Sequence, residues 1–178
     1  MKTKRFAVIS VFAAIVVVLQ IIATYINFGG FPITLTLIPI IIAGAIYGPA
    51  VGSLMGLVFG VIVDIMVITG ADPSGAVMLS THPIITILTC LIKGTLAGLV
   101  GALAYRKIKN HKAGIIVSSI VTPVTNTLTL YLALILFFDI SFTAMIAAFM
   151  SINFIIELLI NVAIAPGLLI LIKRAKRY

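Results

Sequence analysis

The sequence predicts an all-α membrane protein with six transmembrane helices and with both termini in the cytoplasm. Three observations support this: a composition of 62% hydrophobic and 9% charged residues, long apolar segments separated by glycine and proline, and cations confined to short clusters. Soluble domains carry about 25% charged residues. Because an apolar segment of about 20 residues can cross the hydrocarbon core of a bilayer, the chain is expected to span a membrane several times.

Glycine, proline and polar residues divide the chain into six apolar segments. Glycine and proline end helices, and the residue before a proline avoids the helical conformation. The breaks lie at 27–32, at 48–49, in the polar stretch 69–83, in the basic loop that follows Arg106, and before Asp139. No linker interrupts the pattern, so we expect a single domain over residues 1–178. The predicted helices cover residues 6–26, 33–47, 50–68, 84–105, 114–138 and 145–172.

All lysines and arginines except Lys93 lie in three clusters, and cationic loops stay on the cytoplasmic side of a membrane. With six helices, the two termini and the loop after the fourth helix fall on one side. The opposite loops at 27–32, 69–83 and 139–144 contain no lysine or arginine. Helix count and charge therefore agree on cytoplasmic termini. The clusters are Lys2, Lys4 and Arg5; Arg106, Lys107, Lys109 and Lys112; and Lys173, Arg174, Lys176 and Arg177.

Charge and motif content argue against several classes of function. The net charge of +8 comes from cations that flank apolar spans as helix-end anchors do, so the lipid bilayer and not nucleic acid is the expected partner. With no G-x-S-x-G or H-E-x-x-H motif and one cysteine, Cys90, we predict no enzyme, no metal site and no cofactor. The chain also lacks a phosphate-binding G-x-x-x-x-G-K-[ST] loop, so energy for pumping would come from elsewhere.

Polar residues recur every three or four positions along the fourth, fifth and sixth predicted helices, so each set forms one stripe. Such stripes are tolerated mainly where they face protein or a water-filled cavity. At about 1.5 Å per residue from the outer ends, Lys93, Asn126 and Glu157 all lie near mid-membrane depth. The stripes are Thr86, Thr89 and Lys93; Thr122, Thr125, Asn126 and Thr129; and Asn153, Glu157 and Asn161.

Two interpretations of the stripes stay open. In the first, Lys93 and Glu157 form a buried ion pair, because intramembrane charges usually pair. In the second, which we favour because three adjacent stripes exceed the needs of one ion pair, the stripes line a ligand pocket. Thr81 and His82, at the start of the fourth helix, are added to the expected binding residues. Asp64 stands alone on the third helix and is interpreted as reaching towards water.

A ridge of glycines runs into and along the third helix, and it lets another helix approach closely. Packing within the subunit and docking of a separate membrane subunit both stay open for this ridge. The first is favoured, because close contacts inside a bundle use the same small residues. The ridge consists of Gly48, Gly52, Gly56 and Gly60.

Several segments resemble a known family. The run IPIIIAGAIYGPAVGSLMGLVFG from Ile38 to Gly60 resembles the helix 2 to helix 3 segment of the substrate-binding S components of energy-coupling factor (ECF) vitamin transporters. The segments LIKGT at 91–95 and TPVTNT at 122–127 are similar to helices 4 and 5 of some members. The chain length, six helices and cytoplasmic termini match over the whole chain.

The resemblance implies a subunit of the bacterial plasma membrane that captures a vitamin from outside, between helices 4 to 6 and the outer loops. Helices 1 to 3 would dock on a membrane T component joined to two ATP-hydrolysing subunits. Members commonly carry A-x-x-x-A on helix 1 for docking, and the nearest match here is Ser10-x-x-x-Ala14. The expected docking residues are therefore Ser10, Ala14, Gly52 and Gly56. The expected binding residues are Lys93, Asn126, Thr89, Thr129, Asn153, Glu157, Thr81 and His82.

Pantothenate is the first candidate substrate, because the chain most resembles the pantothenate-type members of the family and because the cationic Lys93 beside threonines and asparagines suits a small anionic ligand with hydroxyls and an amide. Riboflavin, cobalamin and pyridoxine-like vitamins are the alternatives in the same class. The thiamin branch of the family resembles one whose binding sites use aromatic stacking. The chain has no tryptophan, which makes thiamin a weaker candidate. An autonomous small transporter or channel is the alternative of another class, since the stripes by themselves need no partner subunit.

Overall fold

The computed structural model describes residues 2–25, 27–28, 31–32, 35–149 and 152–175. These residues form eight α-helices and one short antiparallel pair of strands. The helices are α1 (Lys2–Tyr25), α2 (Leu37–Tyr47), α3 (Pro49–Ile68), α4 (Pro73–Thr81), α5 (Pro83–Lys107), α6 (His111–Phe137), α7 (Phe142–Phe149) and α8 (Ile152–Ala175). The strands, β1 (Asn27–Phe28) and β2 (Phe31–Pro32), lie between α1 and α2.

Local sequence signals set where the three central helices begin. Gly48 adopts a φ of 100°, which glycine tolerates, and Pro49 occupies the first turn of α3. Pro83 starts α5 in the same way. The side chain of Asn110 caps α6 by accepting a hydrogen bond of 3.0 Å from the backbone amide of Lys112. These helices lie close to the predicted ranges 50–68, 84–105 and 114–138.

Three elements differ from the sequence prediction. A short helix, α4, occupies most of the predicted loop 69–83; Asp72 caps it by accepting a hydrogen bond of 3.1 Å from the amide of Gly75. The second helix begins at Leu37, later than the predicted residue 33. Helix α7 begins at Phe142, within the predicted loop 139–144; of the predicted sixth helix, 145–172, residues 145–149 belong to α7 and residues 152–172 to α8.

Four segments among the described residues are long and apolar enough to cross a membrane: Phe6–Ala23, Pro49–Ile68, Pro83–Lys107 and His111–Phe137. Shorter apolar stretches are α2 itself and 154–170 within α8. At 1.5 Å per residue, α2 is about 17 Å long, whereas the hydrocarbon core is about 30 Å thick. The structure therefore shows a helical membrane protein with four membrane-length segments, where the sequence predicts six spans.

Glycines join α3 to α5 in an antiparallel contact. A Cβ added at Gly52 would lie 2.6 Å from the carbonyl oxygen of Gly98, and one at Gly56 would overlap the carbonyl of Gly94. The two backbones approach closely because no side chain separates them. The ridge thus packs within the subunit. Internal packing is the interpretation that the sequence favours for this ridge, and α5 covers the Cα face of both Gly52 and Gly56.

Both ends of the described chain lie at one end of the bundle. The ring of Phe12 on α1 contacts that of Tyr47 at the end of α2, with centroids 6.4 Å apart. Near the other terminus, Ile172 of α8 shares a buried cluster with Tyr105 at the end of α5. The loop 108–110 and the basic cluster around it lie at this same end, which is called the basic end below.

Candidate functional site

The register between α5 and α6 brings Lys93 and Asn126 to one level. Ser118 of α6 donates a hydrogen bond of 2.9 Å to the carbonyl oxygen of Gly101 on α5. Moving away from the basic end, Lys93 lies eight residues beyond Gly101 and Asn126 lies eight residues beyond Ser118. Because the helices are antiparallel and have the same rise per residue, the two polar side chains start from the same depth.

A similar argument places Glu157 of α8 within about one helical turn of this level. Ile115 of α6 and Leu168 of α8 share a buried cluster near the basic end. Asn126 lies eleven residues beyond Ile115, and Glu157 lies eleven residues beyond Leu168 on the antiparallel α8. Asn161 lies one turn from Glu157 on the same helix face. We call Lys93, Asn126, Glu157 and Asn161 the polar layer.

Most of the polar layer is buried and part of it retains hydrogen-bonding capacity. Asn126 and Glu157 are each 8% exposed and Asn161 is 1% exposed, whereas Lys93 is half-buried. The Nδ2 of Asn161 donates a hydrogen bond of 2.8 Å to the carbonyl of Glu157. The Oδ1 atoms of Asn126 and Asn161 accept no hydrogen bond from the described residues. Buried polar atoms are nearly always hydrogen-bonded, so these acceptors suit the donors of a ligand.

The charge of Lys93 also acts on groups that the sequence does not suggest. Within the described residues, these groups include Asp64 and Cys90. Asp64 is only 7% exposed, so the interpretation that it reaches towards water is wrong. It lies on the face of α3 that packs against α5, because it continues the four-residue spacing of the glycine ridge.

A groove of about 270 Å³ lies between α5 and α6, away from the basic end. Two predicted binding residues, Thr89 and Thr129, supply its polar groups. The hydroxyl of Thr129 donates a hydrogen bond of 2.8 Å to the carbonyl of Thr125, which leaves its lone pairs for a ligand. Leu136 at the rim is 71% exposed, so the groove opens at the surface of the bundle. Its lining consists of Ile85, Leu88, Thr89, Ile92, Thr129, Ala133, Leu136 and Phe137.

Thr81 and His82 do not join the polar layer. Both are exposed and lie where α4 meets α5, at the end of the bundle opposite the basic end. Thr81 donates its hydroxyl hydrogen bond of 2.9 Å to the carbonyl of Met78. The ring of His82 meets that of Phe138 edge to face, with centroids 5.1 Å apart. Ile85, which lines the groove, follows His82 by three residues on the chain. The side chain of Asn153 lies outside the described part of the chain.

Two relevant polar groups were not among the predicted site residues. The hydroxyl of Ser119 is fully buried and has no hydrogen-bond partner among the described residues. Pro123, four residues later, lacks the amide that would bond the backbone carbonyl of Ser119, so the sequence points to an irregularity at Ser119 but not to its hydroxyl. Asp64 is the second such group. Its position four residues after Gly60 indicates that it lies on the same face of α3 as the glycine ridge.

The predicted docking pair lies on an open face of α1. Ser10 and Ala14 are both exposed, one turn apart. The hydroxyl of Ser10 donates a hydrogen bond of 3.1 Å to the carbonyl of Phe6 in its own helix. Only 17% of the apolar window of α1 is buried inside the structure, so this helix offers most of its surface to lipid or to another membrane helix.

Comparison with known proteins identifies the family. No curated protein matches the chain. The sequence model of the family described as "ECF transporter, substrate-specific component" matches residues 4–172. The match covers all four membrane-length segments and the whole polar layer. Members are substrate-binding subunits and not enzymes, and they work in the membrane with T and ATPase subunits. The chain therefore belongs to the family of substrate-specific components of ECF transporters.

Proposed function

We propose that this chain captures a vitamin from outside the bacterial plasma membrane, with pantothenate as the first candidate, and delivers it with T and ATPase partners. The observation that supports the proposal is the polar layer: buried amide oxygens and a lysine lie at similar depths on α5, α6 and α8. A bundle with only a structural role would be expected to hydrogen-bond such groups internally. In this proposal the chain crosses the bilayer six times and keeps both termini in the cytoplasm.

The chemistry of pantothenate matches the groups of the layer. It has one carboxylate, two hydroxyls and one amide. The ammonium of Lys93 suits the carboxylate, while the buried Oδ1 atoms of Asn126 and Asn161 can accept hydrogen bonds from hydroxyl and amide donors. Thr89 and Thr129 add hydroxyls along the groove. In this proposal the ligand enters from the end opposite the basic end.

Partner subunits supply the energy and the docking surface. The chain has no phosphate-binding loop for ATP. In this proposal the open face of α1 around Ser10 and Ala14 contacts the T component, because small residues on a membrane helix permit close helix packing. The glycine ridge of α3 is excluded from this role, since it packs against α5.

The substrate is best tested on protein purified from its native membrane. Mass spectrometry of the copurifying small molecule names the ligand directly, and calorimetry with a panel of vitamins gives its affinity. We expect pantothenate to bind with a submicromolar Kd. Binding of riboflavin, cobalamin or a pyridoxine-like vitamin instead would change the substrate and retain the function. Failure of every vitamin at submicromolar concentration would contradict the proposal.

Reconstitution separates this proposal from an autonomous transporter or channel. Liposomes holding this chain alone are compared with liposomes that also hold the T and ATPase subunits. We expect uptake only in the second set of liposomes, and only when ATP is present on the side of the membrane where the ATPase subunits lie. Uptake by the chain alone would favour the autonomous transporter.

A further inference from the structure

A buried carboxylate lies beside the proposed site. Asp64 follows Gly60 by one helical turn, and a Cβ at Gly60 would lie 2.6 Å from the carbonyl oxygen of Cys90. This face of α3 is therefore pressed against α5. Asp64 is 7% exposed, and its Oδ1 accepts no hydrogen bond from any described residue. Such a carboxylate inside a membrane bundle requires a compensating charge or donor.

The compensating groups both come from α5. Cys90 lies against Gly60, one turn before Asp64 on α3, and Lys93 lies three residues after Cys90 on α5, which brings its charge to bear on the carboxylate. No other lysine or arginine of the sequence lies between the basic clusters. Lys93 is therefore the cation on which the burial of Asp64 depends.

The position of Lys93 lets its side chain serve two neighbours. Long side chains on a helix lie over the preceding turn, above the residues three and four positions earlier. For Lys93 these residues are Cys90, which contacts Asp64, and Thr89, which lines the groove. The flexible lysine stem can therefore reach the acidic residue on one side and the groove on the other.

We propose that Asp64 and an anionic ligand compete for the ammonium of Lys93, so that Asp64 sets how strongly the site prefers an anionic ligand over a neutral one. Asp64 is a positioning residue: it acts on the ligand through Lys93. The proposal rests on the proposed function, since it requires that the groove and the polar layer hold a ligand. It adds a residue of α3 to a site that the sequence assigns only to the later helices.

The competition predicts the direction in which ligand affinity changes when Asp64 is replaced. When the negative charge at position 64 is removed, the ammonium of Lys93 is free to interact with the ligand alone. Opposite charges in a partly buried site interact strongly enough that affinity for an anion should rise on the order of tenfold. A neutral ligand of the same shape gains nothing from this change. The ratio of the two affinities therefore reports on the competition and not on general changes in packing.

The test uses a pair of probes that differ at one group. Pantothenate carries a carboxylate where its alcohol analogue, panthenol, carries a hydroxymethyl group. Asp64→Asn should lower the Kd for pantothenate on the order of tenfold, with little change for panthenol. Lys93→Met should abolish the preference for pantothenate, and Asp64→Asn should have no further effect in that background. An unchanged ratio of Kd values in Asp64→Asn would overturn the proposal.

Asp139→Asn is the matched control. It removes one negative charge at the same end of the bundle, at an exposed position with a φ of 53°, which asparagine tolerates. This variant should bind both probes as the wild type does. If Asp64→Asn does not fold, Asp64→Ser replaces it, since serine is smaller and is also uncharged.

Failure of this inference can be distinguished from failure of the proposed function. If the wild type binds neither probe, pantothenate is not the substrate, and the charge coupling is measured without ligand. Thermal unfolding of the wild type, Asp64→Asn, Lys93→Met and the double variant then gives a double-mutant cycle, which measures the interaction free energy of the two residues. A double variant more stable than the sum of the single effects predicts supports the pair. Additive effects, or a copurified ligand with no anionic group, would overturn the competition.

Discussion

Gly56 of α3 and Gly94 of α5 meet backbone to backbone, because a Cβ on either residue would overlap the carbonyl group of the other. The contact holds the helix that carries Lys93 against the helix that carries Asp64. Van der Waals packing replaces the hydrophobic effect as the force between helices in lipid. This close approach is therefore expected to contribute much of the stability of the α3–α5 pair.

Gly56→Ala should destabilise the protein by about 1–3 kcal/mol, because the added methyl group forces the two backbones apart. Thermal unfolding in detergent measures the effect. The matched control is Gly167→Ala on α8, where a Cβ meets nothing within 4 Å. An unfolding temperature of Gly56→Ala equal to that of the control would show that the helices are not in this contact.

Two adjacent serines on α6 should respond differently to removal of the hydroxyl. Ser118→Ala loses the 2.9 Å hydrogen bond to Gly101 and should cost about 1 kcal/mol. Ser119→Ala removes a buried hydroxyl with no partner in the described part of the chain, and should be neutral or slightly stabilising. Both are measured by thermal unfolding without ligand. Equal losses in the two variants would argue against the register between α5 and α6.

A larger side chain on the open face of α1 should block assembly and leave ligand binding intact. Ala14→Leu adds volume where close helix packing needs a small residue. We expect weaker copurification with the T component and reduced ATP-dependent uptake, with an unchanged ligand Kd. Ala163→Leu, at an exposed position of α8, is the control of the same size. Normal assembly of Ala14→Leu would place the docking surface elsewhere.

The common depth of Lys93 and Asn126 was predictable from the sequence, because the rise of a helix per residue is constant. The short helix α4 was also predictable. Asp72 followed by Pro73 is a cap followed by a residue suited to the first turn, although the polar character of the stretch suggested a loop.

The remaining features depend on tertiary packing. The partner of a glycine ridge cannot be chosen by spacing, because docking and internal packing use the same residues. The approach of Asp64 to Lys93 follows only once α3 is known to pack against α5.

The central claim is that the polar layer binds the ligand, and the Kd of Asn126→Ala for the vitamin that copurifies with the wild type tests it most directly. Thr127→Val, at the next position of the same helix, is the near-isosteric control. Loss of a buried hydrogen-bonding group should weaken binding about tenfold or more in Asn126→Ala, while Thr127→Val should bind as the wild type does. Wild-type affinity in a folded Asn126→Ala variant would contradict the account.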